Sequence, residues 1–204
     1  MTVMGCLFAG GAGRRLGGVE KALIEFSGSP LWKRATHRIT PMVDQMVVTG
    51  PTAPEWSEAV PGLVFVQDFQ PNGEPIGPAG GLLAALEHCL REKGPESLLL
   101  TVPIDAPFFP VDLFAQLSTG RGNARAALVE TEFRLQPTFG LWSCALAPDV
   151  RSCVKQGKLA LHAIADHVGA VKVRFQAEDE AFLNINTPED IQRAEAVATL
   201  LEQS

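Results

Sequence analysis

The sequence predicts a single-domain, three-layer α/β fold around a mostly parallel sheet, spanning residues 1–204. Three observations predict it. Short apolar runs alternate with longer segments of helical period, the arrangement that stacks helices on a parallel sheet. A hydrophobic fraction of 46% with 20% charged residues, over 204 residues, suits one well-filled core. The most apolar run, SLLLTV at 97–102, reads as a strand buried on both faces, as the centre of a parallel sheet requires.

The first strand is Val3–Phe8, which runs straight into glycines. Pro30 opens a helix over 30–39, because its fixed φ suits a first helical turn. QMVVT (45–49) and LVFVQ (Leu63–Gln67) are the next strands, the second ending at Asp68. The segment 77–94, GPAGGLLAALEHCLREKG, carries apolar residues at helical spacing and stops at a glycine. After the central strand, Pro103 and Pro107 bracket Asp105 in a constrained turn, which sets that carboxylate at a strand's carboxyl end. A helix over 111–117, strands at 126–129 and 137–142, helices over 149–155 and 159–167 and a strand at 171–175 follow. The last helix starts at Thr187-Pro188-Glu189-Asp190, with threonine as N-cap, proline in the first turn and acids at the helix's positive end.

A net charge of -6 and a pI near 5.2 disfavour a broad, nonspecific grip on nucleic acid, which needs many neutralised phosphates. Any polyanion must be held locally. Cys6, Cys89, Cys144 and Cys153 form no CxxC pair and read as buried free thiols, not as a zinc or dithiol site. His37, His88, His162 and His167 show no metal-ligand spacing, and Trp32, Trp56 and Trp142 read as core or rim residues. The opening MTVMGCLFAGG has no basic segment ahead of its apolar stretch and reads as a strand rather than a signal peptide. No apolar run approaches the ~20 residues that span a bilayer. A cytoplasmic monomer with no membrane partner is expected.

The local exception to the acidic balance is LFAGGAGRRLGGVEK, residues 7–21. Glycines after a strand let backbone N–H groups approach an anion without side-chain obstruction, and Arg14, Arg15 and Lys21 add positive charge. A Walker A loop fails, because Val19 follows Gly18 where a lysine is required. The dinucleotide fingerprint begins at Gly11-Ala12-Gly13 but meets Leu16 at its third glycine position, and the second strand ends in Thr49-Gly50 rather than an acid. A dehydrogenase therefore remains only a rival, separable by NAD(H) titration.

The run matches the loop (L/A)AGGxxxRMGxxK, with a second glycine doubling the one before the lysine, through Phe8, Ala9, Gly10, Gly11, Arg15, Leu16, Gly17, Gly18 and Lys21. With it, the chain resembles the molybdenum cofactor guanylyltransferases. Ser29-Pro30-Leu31-Trp32, Gly77-Pro78-Ala79-Gly80-Gly81, Val102-Pro103-Ile104-Asp105-Ala106-Pro107, Gln136-Pro137-Thr138 and Asn184-Ile185-Asn186-Thr187-Pro188-Glu189 are similar to that family's segments, in order. The resemblance covers almost the whole chain. It implies a Rossmann-like nucleotidyltransferase fold whose N-terminal part binds nucleotide and whose C-terminal part binds pterin. The implied reaction transfers GMP from GTP to molybdenum-molybdopterin with release of pyrophosphate. Other molybdenum cofactor biosynthesis proteins and acceptor molybdoenzymes are the further partners implied.

By the same resemblance, Asp105 holds Mg²⁺ against the triphosphate, and Lys21 and Arg15 neutralise the phosphates, the three forming the catalytic set. Phe8, Ala9, Gly10, Gly11, Gly13, Gly18, Thr49 and Asp68 complete the nucleotide site, and Asn184, Asn186 and Gln136 face the pterin. Leu16, Glu20 and Thr49 depart from the family's methionine, aspartate and asparagine, and only Lys158 stands near a family arginine. A cytidylyltransferase acting on molybdopterin, a sugar-phosphate nucleotidyltransferase and a non-catalytic nucleotide-binding module are the alternatives.

Overall fold

The computed structural model describes residues 1–10, 12–13, 19–176 and 179–202. Its frame is a sheet of seven strands. In chain order the elements open with β1 (Val3–Phe8), the two-residue strands β2 (Ala12–Gly13), β3 (Val19–Glu20), β4 (Glu25–Phe26) and β5 (Ser29–Pro30), then α1 (Leu31–Ile39). Next come β6 (Gln45–Gly50), β7 (Leu63–Gln67), α2 (Pro78–Lys93), β8 (Leu98–Pro103) and α3 (Leu113–Arg121). The remainder is β9 (Ala126–Glu130), β10 (Leu135–Ser143), α4 (Ala147–Lys155), α5 (Leu161–His167), β11 (Val171–Arg174) and α6 (Pro188–Glu202).

The strand order is β11-β9-β10-β8-β1-β6-β7. Only β10 runs against its neighbours; the other pairings are parallel. From β1 the chain steps outward to β6 and β7, then returns through α2 to lay β8 on the other flank of β1. The carboxyl ends of β1 and β8 therefore meet where the winding reverses, the position at which open α/β sheets bind ligands. Phe8 pairs with Pro103 there, and the Ile104 N–H donates to the Phe8 carbonyl at 3.1 Å.

Both sheet faces are covered, which explains the continuous apolar runs of β1 and β8. Met4, Cys6 and Phe8 pack with α2, α4 and α5 on one face, while Val3 and Leu7 pack with α1 and α3 on the other. Leu100, fully buried in the second layer, would cost about 2–5 kcal/mol if cut to alanine. A third apolar cluster joins α6 to Phe26, Leu31, Phe108 and Ile185.

The predicted elements recur with shifted ends: the helix expected over 111–117 runs Leu113–Arg121, and the strand expected at 137–142 begins at Leu135. Pro137 is accommodated where the β10 register shifts between Gln136 and Gly140, so the missing N–H breaks no regular ladder. One expectation is corrected. Cys89 and Cys144 form a disulfide with Cα atoms 6.1 Å apart, because α2 packs directly on the turn after β10. Cys6 and Cys153 are buried free thiols, as the composition suggested. No helix of the described residues is long and apolar enough to cross a membrane.

Candidate active site

The site is built on the turn after β8. Pro103 ends the strand, and Asp105 stands two residues beyond it. Its carbonyl accepts the Ile185 N–H at 2.7 Å, which ties the turn to the segment preceding α6. That segment is fixed by a reciprocal cap: Thr187 Oγ1 accepts the Asp190 N–H at 3.2 Å, and Asp190 Oδ2 accepts the Asn186 and Thr187 N–H groups at 2.9 Å each. The sequence signal for a threonine cap was sound, and Asp190 adds the returning half.

Lys21 joins these two segments. It opens a short 3-10 turn after β3, and its Nζ donates to Asp105 Oδ2 at 2.8 Å and to Asn186 Oδ1. The Lys21 and Asp105 side chains keep only 20% and 15% exposure. An ammonium has three donors, so two bonds leave one for a further acceptor. The structure thus brings together Lys21, Asp105 and Asn186 from the two ends and the middle of the chain.

A second group lies around the carboxyl ends of β1, β6 and β7. The Ala9 N–H donates to the Thr49 carbonyl and the Asp68 N–H to the Gly50 carbonyl, both at 2.9 Å, which continues the parallel ladders past Phe8 and Gln67. The Thr49 hydroxyl faces the buried Cys6 thiol at 3.9 Å. The first turn of α2 closes against this floor. A Cβ at Gly81 would stand 2.6 Å from Thr49 Oγ1, 3.1 Å from Asp68 Oδ1 and 3.2 Å from the Phe8 ring, and one at Gly80 would stand 2.6 Å from the Phe69 carbonyl. Only glycine fits at both positions. A Cβ at Gly10 would lie 3.6 Å from Asp68 Oδ2, so the loop backbone passes directly over that carboxylate.

Burial pushes the Asp68 carboxyl up to about 6, with the neighbouring Thr49 hydroxyl pulling the other way. Asp68 Oδ1 is enclosed and has no well-aligned hydrogen-bond partner among the described residues. Burial also raises the Cys6 thiol, so it stays protonated and inert.

Gln136 is 4% exposed on β10, and its Nε2 has no partner among the described residues; neither has the buried Asn184 Oδ1. Because β10 runs antiparallel, its first residues stand at the same sheet edge as Pro103. An orphaned donor and an orphaned acceptor are costly unless something meets them. Gly13 lies in β2, paired with Val19 of β3. Gly11, Arg15 and Gly18, with Arg14, Leu16 and Gly17, lie outside the described residues. Lys158 rests beside His167, its Nζ 3.3 Å from the ring Nδ1.

Sequence reasoning passed over two contacts. Trp56 Nε1–H donates to Glu20 Oε1 at 2.9 Å, and the Trp56 ring stacks on Trp32 at 5.4 Å between centroids. Residues 36 positions apart on irregular chain leave no periodic signal to find.

A glycine-rich loop after β1, a lysine at its end and a carboxylate across the switch point define a nucleotidyltransferase class of site. The chain belongs to the MobA-like NTP transferase domain family, whose pattern matches residues 5–171. It is 34% identical over 197 residues to a molybdenum cofactor guanylyltransferase of Cereibacter sphaeroides, covering 97% of both chains. It is also 34% identical to the Serratia proteamaculans protein of the same name, covering 94% and 93%. Among solved structures, the molybdopterin-guanine dinucleotide biosynthesis protein A of Archaeoglobus fulgidus superposes with a TM-score of 0.77 at 23% identity, over 96% of this chain and 98% of that one.

Proposed function

We propose that the chain transfers GMP from GTP to molybdenum-bound molybdopterin, releasing pyrophosphate and forming the molybdopterin guanine dinucleotide cofactor. The observation that carries this reading is the Lys21–Asp105 pair at the carboxyl ends of β1 and β8, beside a glycine-rich loop. The 34% identity to two molybdenum cofactor guanylyltransferases supports the nucleotide and the acceptor.

A terminal phosphate oxygen of molybdopterin attacks the α-phosphorus; that P–O bond forms as the α–β P–O bond breaks and pyrophosphate takes the electron pair. The attacking oxygen is already anionic, so no residue need act as a general base. Lys21 offers its remaining donor to a phosphate oxygen, and the loop amides around Gly10 supply neutral donors to the same tail. Arg15, Gly11, Gly13 and Gly18 belong to this phosphate grip. Asp68, with Phe8, Ala9 and Thr49 around it, accepts from the donors of guanosine. On the acceptor side, the Gln136 donor and the Asn184 acceptor, both without a partner among the described residues, suit a ring edge presenting both kinds of partner, with Asn186 between the two sites.

Magnesium suits this donor set by chemistry, since the Asp105 carboxylate and the Asn186 amide oxygen, both bonded to the Lys21 ammonium, are hard ligands, and substrate phosphates complete such sites. Asp105 would hold the ion, which when bound supplies charge neutralisation at the triphosphate. On this reading the protein works as a monomer in the cytoplasm and its product passes to acceptor molybdoenzymes.

The test is pyrophosphate release from GTP or CTP, with and without molybdopterin and with magnesium or EDTA. Release from GTP that requires both molybdopterin and magnesium supports the proposal. Preference for CTP overturns the guanylyl assignment, and nucleotide binding without any release overturns the catalytic one.

A further inference from the structure

We propose that Glu20 and Trp56 are positioning residues that fix the far end of the glycine-rich loop and thereby aim Lys21 at the triphosphate. The inference rests on the reading above that Lys21 meets phosphate.

The loop from residue 9 to residue 21 is secured at both ends to the same stretch of chain. At its start, the Ala9 N–H is bound to the Thr49 carbonyl at the end of β6. At its finish, β3 pairs with β2 in an antiparallel ladder that sets Ala12 opposite Glu20. Two residues of β3 cannot hold that position alone. The additional hold is the Glu20 carboxylate, which accepts the Trp56 indole N–H at 2.9 Å on the 3-10 turn Glu55–Ala59 following β6.

Trp56 is itself immobilised. It is 6% exposed and lies almost parallel to Trp32 of α1, 13° between ring planes. A hydrogen bond between an ionised acceptor and a buried indole donor is among the stronger side-chain contacts. The residue after Glu20 is Lys21, whose ammonium must reach Asp105 84 positions away. Rotation of the Glu20 backbone would swing Lys21 off its line.

The expected effect of losing Glu20 is opposite in sign to simple electrostatics. Glu20 is a negative charge beside the binding place of a polyanion, so deleting it should tighten GTP binding if it does nothing else. If Glu20 positions Lys21, deleting it weakens binding instead.

The experiment measures GTP Kd by calorimetry with magnesium, and KM and kcat for GTP, in full-length variants. Glu20→Ala and Trp56→Phe are each expected to raise Kd and KM about tenfold, the scale of one charged hydrogen bond, while kcat at saturation changes little. Glu20→Gln keeps an oxygen for the indole N–H and should stay within about twofold of the parent. The double variant Glu20→Ala/Trp56→Phe should be no worse than either single change. Trp56→Phe keeps the stacked ring, and thermal melts of all variants report folding; if Trp56→Phe unfolds, the Glu20→Ala and Glu20→Gln pair decides alone.

Unchanged or tighter GTP binding in Glu20→Ala overturns the inference. Lys21→Ala, measured alongside, separates the two levels. Weak binding in Lys21→Ala with normal binding in Glu20→Ala sinks the positioning role alone, whereas normal binding in Lys21→Ala sinks the phosphate reading and this inference with it.

Discussion

The ammonium of Lys21 and the carboxylate of Asp105 stand 2.8 Å apart across 84 residues of sequence, and both are mostly withdrawn from water. Removing either leaves the other's charge under-solvated. Asp105→Ala is expected to lower unfolding free energy by about 1–3 kcal/mol, less than for a fully enclosed pair. It should also abolish pyrophosphate release. Urea titration checks the first outcome and turnover the second; the Lys21→Ala/Asp105→Ala double variant should lose less stability than the two single losses added together.

Gly81 lets α2 seat against Thr49. Gly81→Ala is expected to cost about 1–3 kcal/mol and to weaken GTP binding, because the new methyl meets Thr49 Oγ1 at 2.6 Å and pushes the helix off the Asp68 floor. Adding Thr49→Ala opens the space. A stability for the pair above that of Gly81→Ala alone confirms the mechanism; a further loss contradicts it.

Asp68 titrates near 6 when folded and near 3.8 when unfolded, its burial being the main cause. The folded protein therefore holds this proton more tightly between those values, so the ionised carboxylate costs stability above about 6, and the cost fades as pH falls toward 4. Asp68→Asn should gain in melting temperature relative to the parent at pH 7.5 and lose that gain near pH 4. For the ligand the direction reverses: GTP affinity in the parent should fall as pH drops through 6, and in Asp68→Asn that limb should flatten.

Asp190 accepts two N–H groups ahead of α6, including that of Asn186. Asp190→Ala should cost about 1 kcal/mol as a lost cap. Because Asn186 is loosened with it, the KM for molybdopterin should rise while the Kd for GTP moves less. Equal effects on both substrates would show that Asn186 serves the nucleotide as much as the acceptor.

Thiol titration in denaturant tests the Cys89–Cys144 link. Two thiols are expected without reductant and four with it. In the native state Cys6 and Cys153 should resist alkylation, since both are buried and burial raises both thiols.

Much of this was legible in the sequence. Alternating apolar runs marked the long strands and helices, the two prolines around Asp105 marked its turn, and Thr187-Pro188 marked the start of α6. Local chemistry governs those features, so local sequence reports them. The rest depends on contacts between distant segments. Nothing in the spacing announced that Cys89 meets Cys144, that Trp56 meets Glu20, or that β10 runs against its neighbours in the seven-stranded sheet. Gly80 and Gly81 stood in a recognisable segment, yet their reason is the proximity of Phe69 and Thr49, which only the fold supplies.

The family pattern matches residues 5–171 and ends before Ile185 and Asn186, although a relative aligns over 97% of the chain. Yet Ile185 clasps the Asp105 carbonyl, and Asn186 takes one of the hydrogen bonds of Lys21. A graft cut at residue 171 would bring the lysine and the aspartate but strip each of a companion from the tail. Engineers who recombine such enzymes should therefore carry the segment holding Ile185 and Asn186 along with the rest, since the chain returns there to brace what its opening began.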